Sequence, residues 1–453
     1  MKDLTHQKFN VSYIWASLGM ALLGGFPIGT YVLFKLNSSE KSFGGIPDLI
    51  QIHGHVQLIG WVGLFVMGVS LFFFPRFIGV PLRRPRFLTF ILQCIVGGLS
   101  LQVGARFLHL PSLALVGSLA EWVGIAAYVF ILVELYFSKT SKPHESTLKL
   151  KPYFLMAFAG WIIFSTQHLW LTFMAVRQGA LMIPIVWQQW NAEFFMAFVL
   201  FPVAYAFSIR TFPLFLQLPI TIKKPVHIWG ISYLTLTLLA KVFWLPPLLA
   251  AFPEFSFKAA CLGRIGRDLF MLWMVWALQL FLRREPSPWV PLAVESPNPP
   301  RKGLADAGEY GRFEWAIRSA YLWLAISVGL DLLGALSGMF GWGLGIGPDS
   351  IRHAFLLGFI TLLILGMASR MLPGFMLKKR IAHPALVGWG TVIGNGAVFL
   401  RVIPGVIPER WVQPWPKVSD VIPQFISSAG VLGMVSIAFL ALNLSQTHRL
   451  QES

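Results

Sequence analysis

Between His55 and Arg76 the chain reads VQLIGWVGLFVMGVSLFFFP, without one charged side chain. A helix of about 20 such residues spans the hydrocarbon core of a bilayer, whereas a soluble domain has little room to bury it on all sides. Runs of this kind recur along the whole chain of 453 residues. Hydrophobic residues make up 56% of the chain and charged residues 12%, roughly half the charged share of an ordinary globular domain. The fold class that follows is all-α: a polytopic membrane protein with about 12 transmembrane helices.

The runs predict spans over Val11–Phe34, His55–Phe77, Phe87–Leu108, Leu113–Phe137, Tyr153–Val176, Trp190–Phe212, Ile228–Ala251, Ala259–Leu282, Phe313–Leu336, Ile351–Leu372, Ala385–Val402 and Ile422–Leu444. They are numbered one to twelve below. MKDLTHQKFN offers no convincing cleavage site, so span one is expected to be retained rather than removed as a signal peptide. Residues 1–453 read as a single transmembrane domain, with a Pro-rich linker over 285–309. Cys94 and Cys261 lie inside apolar runs and imply neither a disulfide framework nor a thiolate metal motif. No C-x-x-C-H occurs, so covalent c-type haem attachment is not expected.

The net charge of +17 is distributed by side. The loop after span two carries Arg76, Arg83, Arg84 and Arg86, and the loop after span four carries Lys139, Lys142, Lys149 and Lys151. Arg210, Lys223 and Lys224 follow span six; Arg283, Arg284, Arg301 and Lys302 follow span eight; Lys378, Lys379 and Arg380 follow span ten. The alternate loops are much poorer in cations, so both termini are expected on the cytoplasmic side. The basic balance is thus a topology signal, and nucleic acid is not expected as a partner.

His6, His144, His227, His383 and His448 then fall in cytoplasmic loops, tails or helix ends. The other five histidines, His53, His55, His109, His168 and His353, fall at or near the outer ends of spans two, three, five and ten. Any one of them alone reads as an interfacial side chain. Together they point to a metal or cofactor layer near the outer face.

Internal similarity sharpens this. HVQLIGWVGLFVMGVSLFFFPRF, from His55, aligns without a gap on HAFLLGFITLLILGMASRMLPGF, from His353. Gly60 meets Gly358, Gly68 meets Gly366, and Pro75 meets Pro373. EFFMAFVLFPVAYAFSIRTFPLF fits the same frame, with Glu193 at the histidine position and Pro213 at the proline. These segments are spans two, six and ten, so the period is four spans, with pseudo-repeats over approximately 1–140, 141–284 and 310–446. The glycine pairs suit the close approach of either a porphyrin edge or a neighbouring helix.

Twelve spans in three arcs, with histidines on spans two and ten, resemble the catalytic subunit of the haem-copper oxidase superfamily. The pairing of HGH at position 53 with RHAFLLGFITLLILGMASRMLPG at position 352 most resembles the NnrS family, bacterial membrane proteins linked to haem, copper and nitric oxide stress. The resemblance implies a cytoplasmic (inner) membrane location and a b-type haem with His55 and His353 as its axial pair. His53 is the alternative ligand on span two. It also implies an electron donor such as quinol or a cytochrome, and a diatomic gas as ligand. Haem propionates would meet cations at that level: Arg352 first, then Arg106 or Arg401. Pairing with Glu121, Asp268 or Asp331, or snorkelling to the interface, is the competing reading for Arg106, Lys241, Arg264, Arg267 and Arg401.

This sequence departs from respiratory oxidases in ways that matter. Span six offers Glu193 where they carry a histidine, span seven has only His227 at the wrong end, and span ten has only His353. The usual three-histidine copper site cannot be built. A second metal, copper or non-haem iron, would have to use His53, His168 and Glu193. The reading that leads is a haem-binding membrane protein in nitric oxide response or electron transfer. A divergent oxidase- or nitric oxide reductase-like enzyme is one alternative. The other is a transporter with a polar pathway of Glu121, Glu193, Arg267, Asp268 and Asp331.

Overall fold

The computed structural model describes residues 9–37, 45–82, 84–138, 145–216, 218, 221, 224–281, 307–407, 414 and 416–450. His6, His144, almost all of the expected linker and the loop cations Arg83, Lys139, Lys142, Lys223, Arg283, Arg284, Arg301 and Lys302 lie outside them. Among the described residues every regular element is helical. Among these residues eleven helices are long and apolar enough to cross a membrane: Ser12–Leu36, Ile46–Ile78, Pro85–Leu108, Pro111–Tyr136, Lys151–Arg177, Ile185–Phe215, Val226–Phe243, Phe313–Phe340, Pro348–Phe375, Pro384–Val402 and Val421–Arg449. The chain is a polytopic helical membrane protein.

The remaining expected span, the eighth, forms as the helix Pro253–Ala277 and begins upstream of the expected Ala259. Arg264, Arg267 and Asp268 in its middle set it apart from the apolar eleven. Phe255, Leu262, Leu269, Trp273 and Trp276 are exposed along the helix, while the charged groups turn toward Asp331 on the ninth span. A helix so divided presents hydrocarbon outward and its ions inward.

Spans two and ten begin earlier than their hydropathy suggests, at Ile46 and Pro348. Gly45, in the left-handed region at φ 78°, precedes Ile46, and Pro47 and Pro348 occupy first turns. Proline fits a first turn because its missing N–H has no partner there anyway. His53 and His55 therefore sit inside a helix rather than at its tip. π-helical segments interrupt these spans directly after His55 (Val56–Gly63) and directly after His353 (Ala354–Thr361). Another, Met196–Leu200, follows shortly after Glu193. A π turn widens the helix and re-aims the side chains around it, and such turns concentrate at functional sites. Pro75, Pro213 and Pro373 lie inside the same three spans, toward their C-terminal ends.

The described chain divides into two compact units, Met1–Val203 and Ala204–Ser453, with the boundary inside span six. In the first unit, span one packs on span two, span three on four, four on five, and five on the start of six. In the second, seven packs on eight, eight on nine, nine on ten, and eleven on twelve. The aligned glycines serve helix packing in both. Gly60 and Gly68 lie against Met20 and Tyr13 of span one, and Gly358 and Gly366 against Trp323 and Ile317 of span nine.

Spans three and four touch backbone to backbone. A Cβ on Gly98 would lie 2.6 Å from the Gly117 carbonyl oxygen and 2.8 Å from the Glu121 nitrogen. A Cβ on Gly117 would lie 2.6 Å from the Gly98 carbonyl oxygen. Only glycine permits this crossing. Gly98→Leu is expected to cost about 1–3 kcal/mol or more through overpacking, read as a lower melting temperature of the purified protein in detergent.

Candidate functional site

The crossing of Gly98 with Gly117 sets what lies one turn further on. Gln102 follows Gly98 by four residues and Glu121 follows Gly117 by four, so the two side chains meet. Gln102 Nε2 donates to Glu121 Oε2 at 2.7 Å. His55, the last residue before its π segment, brings Nε2 within 2.8 Å of the same oxygen. His168 on span five brings Nε2 within 2.9 Å of Gln102 Oε1. A carboxylate and an amide oxygen only accept, so both imidazoles carry their proton on Nε2 in this network. The His55 and His168 rings stack at 3.9 Å between centroids and 15° between planes. Phe164, one turn before His168, lies near-parallel to both rings at 6.1 and 6.4 Å. Phe164 in turn packs on Phe195 at 4.6 Å, and Trp161 on Phe195 at 4.8 Å.

The four polar residues come from four different spans, and all are buried. At 1.5 Å per residue, His55 lies about 14 Å along its helix from Ile46, Glu121 about 15 Å from Pro111, His168 about 14 Å from Arg177 and Gln102 about 9 Å from Leu108. Consecutive spans alternate in direction, so these four helix ends share one side. The group thus lies about 9–15 Å inside its helix ends, deeper than the span ends where sequence places its histidines. A buried carboxylate within a membrane span is costly unless it accepts hydrogen bonds, as Oε2 here does from two N–H donors. Among the described residues, His55, Glu121 and His168 also form a group whose donor atoms all lie within 4.8 Å of one another.

The other expected site residues are distributed as follows. His53 packs its ring on Gly29, where a Cβ would lie 2.4 Å from His53 Cε1, and its Nδ1 is 2.8 Å from the Gly25 carbonyl oxygen. Arg106, buried one turn beyond Gln102, donates from Nη1 to the Gln102 carbonyl at 3.0 Å, while its Nε is buried without a hydrogen-bond partner. Glu193 is half-buried on span six and lies outside the group around His168. In the second unit His353 Nδ1 is 2.9 Å from the Asp349 carbonyl oxygen and 3.2 Å from Asp349 Oδ1. Arg401 pairs with Asp349 Oδ2, and Arg352 Nε donates to the Pro348 carbonyl at 3.2 Å. His109 takes the left-handed conformation at φ 53° and closes span three.

Two residues of the buried group escaped the sequence reading in this role. Glu121 entered it only as an ion partner or a pathway residue, and Gln102 did not enter it. A usable mark was present: Glu121 is the one charged side chain between Pro111 and Glu134, and G-x-x-x-Q faces G-x-x-x-E across a small-residue crossing.

A second polar cluster joins spans eight and nine. Arg264 and Arg267 each pair with Asp331, and Arg267 Nε also donates to Asp268 Oδ1 at 2.8 Å. Two guanidiniums and two carboxylates balance there, and this is the pairing that competed with haem propionates for Arg264 and Arg267.

Compared by sequence, the chain matches no family model and no curated protein. Compared by structure, it matches a heme-copper terminal oxidase that was solved as a dimer by cryo-EM. The TM-score is 0.62 over 98% of this chain and 85% of that one, at 14% sequence identity. The fold is haem-copper oxidase-like. At that identity the likeness concerns the fold and leaves the site to be judged on its own residues.

Proposed function

We propose that the chain is a haem-binding redox protein of the bacterial cytoplasmic membrane, of NnrS type, acting in the nitric oxide response or in electron transfer. Within the oxidase-like fold, one observation carries this reading. His353 Nδ1 and His53 Nδ1 each face a main-chain carbonyl, of Asp349 and of Gly25, at 2.9 and 2.8 Å. A carbonyl only accepts, so each ring donates from Nδ1, and in the neutral form of that tautomer the lone pair is on Nε2. An imidazole bound to iron has this tautomer, fixed by the hydrogen bond of its other nitrogen. His55 differs, since its Nε2–H is committed to Glu121. The proposal therefore gives the span-two ligand role to His53, the alternative in the sequence reading, beside His353.

Arg106 supports an anionic partner in the same layer. A buried guanidinium with an unsatisfied Nε suits a carboxylate of the propionate type. Arg401 and Arg352 act locally in this reading, holding Asp349 and the helix start that carries His353. The b-type haem so held would supply one-electron transfer, with quinol or a cytochrome as donor. The distribution of loop cations supports a position of this layer toward the outer face.

The optical spectrum of the purified protein, reduced minus oxidised, tests the reading together with a pyridine haemochrome assay. Wild-type protein is expected to show a b-type spectrum that His353→Ala and His53→Ala each abolish and His55→Ala keeps. Loss in His55→Ala with retention in His53→Ala would return the ligand role to His55. A colourless wild-type protein would end the haem reading.

A further inference from the structure

The haem reading leaves a buried His–Glu–His group unused. His55, Glu121 and His168 come from three different spans, and their donor atoms lie within 4.8 Å of one another. Imidazole and carboxylate bind zinc, iron or cobalt with bonds of about 2.0–2.2 Å, so modest side-chain rotation brings three such atoms onto one ion. The surroundings are arranged to hold these donors. Gln102 donates to Glu121 and accepts from His168, linking two of the three through one amide. Phe164 lies near-parallel to both imidazoles and is backed by Phe195, which Trp161 meets in turn. The Gly98–Gly117 crossing fixes the register of the span that supplies the carboxylate. Two imidazoles stacked face to face beside a carboxylate are an uncommon thing to bury within membrane spans for packing alone.

We propose that His55, Glu121 and His168 form a binding site for one divalent first-row transition ion. Two imidazoles and one carboxylate make the donor set that suits iron(II), zinc or cobalt, with coordination positions left for water or a small ligand. This differs from the second metal site read from sequence, which would have used His53, His168 and Glu193. Only His168 is common to both. The proposal stands apart from the haem reading, since neither His53 nor His353 belongs to the group.

Cobalt(II) is the probe, because haem contributes no cobalt to the assay. Full-length protein purified in detergent is stripped with EDTA, equilibrated with cobalt(II) and desalted, and its cobalt is counted by mass spectrometry. Wild-type protein is expected to retain one cobalt per chain. Glu121→Gln and His168→Gln, at the same free cobalt, are expected to retain less than a tenth of that. Substoichiometric cobalt in the wild type, or full retention in both variants, would overturn the site. Should a variant not purify as a single species, X-ray absorption on cobalt-loaded wild type decides instead. Imidazole scattering from two rings supports the site, and a shell without imidazole overturns it. Haem content is read separately by haemochrome absorbance, so failure of one reading leaves the other standing.

Discussion

Asp331→Ala will destabilise the protein by up to about 3–5 kcal/mol, the scale for a fully buried ion pair that loses one partner, since Asp331 and the two guanidiniums it holds are largely but not wholly buried. Arg264 and Arg267 both converge on Asp331, and after the substitution only Asp268 faces the two guanidiniums. Asp268 already accepts from Arg267 at Oδ1, and one carboxylate does not balance two cations. One uncompensated cation then remains between two membrane helices, where water does not relieve it. A double variant, Asp331→Ala with Arg264→Leu, restores the charge balance and is expected to recover part of the loss, leaving Arg267 on Asp268. Thermal unfolding in detergent, followed by tryptophan fluorescence, measures both. An Asp331→Ala protein within about 1 kcal/mol of wild type would show that these ions are solvated and contribute little.

The same cluster marks how far the sequence reaches. Apolar run length finds the spans, because a bilayer imposes one length on every helix that crosses it. It misjudges the starts of spans two and ten, where Pro47 and Pro348, not hydropathy, open the helix. That error carries into the site: His53 and His55 look like a pair at a helix tip and are in fact two faces of a continuous helix. Two residues apart on a helix, they point in widely different directions. One turns to the Gly25 carbonyl and the other to Glu121. The π segments after His55 and His353 lie beyond hydropathy altogether, since they depend on which carbonyl each N–H chooses. Gln102 was invisible for a related reason. A neutral amide carries neither a charge nor a periodicity that single-sequence reading can weigh, and its role arises only once spans three and four cross at glycine. His168 was legible as a member of the layer, but not its partners, because contact between spans is a tertiary property.

Glu121→Leu is expected to lower stability by roughly 2–6 kcal/mol, since it leaves two buried N–H donors, on Gln102 and His55, without an acceptor at about 1–3 kcal/mol each. Leucine fills most of the space, so the loss reports the polar groups more than a cavity. Glu121→Gln separates shape and hydrogen bonding from charge. Its amide oxygen, in the place of Oε2, accepts from both Gln102 Nε2–H and His55 Nε2–H. Both buried N–H donors that leucine would orphan are then paired again, and the expected cost falls to about 1 kcal/mol or less. Melting temperatures of the two variants in the same detergent decide the matter. Equal, severe losses in both would mean that the negative charge itself holds the four spans together. A mild loss in Glu121→Gln alone means that hydrogen bonding does so, and that the carboxylate is retained at this depth for something besides stability. That outcome makes Glu121→Gln a folded protein lacking one carboxylate, so any loss of a bound ion in it belongs to the ligand and not to the fold.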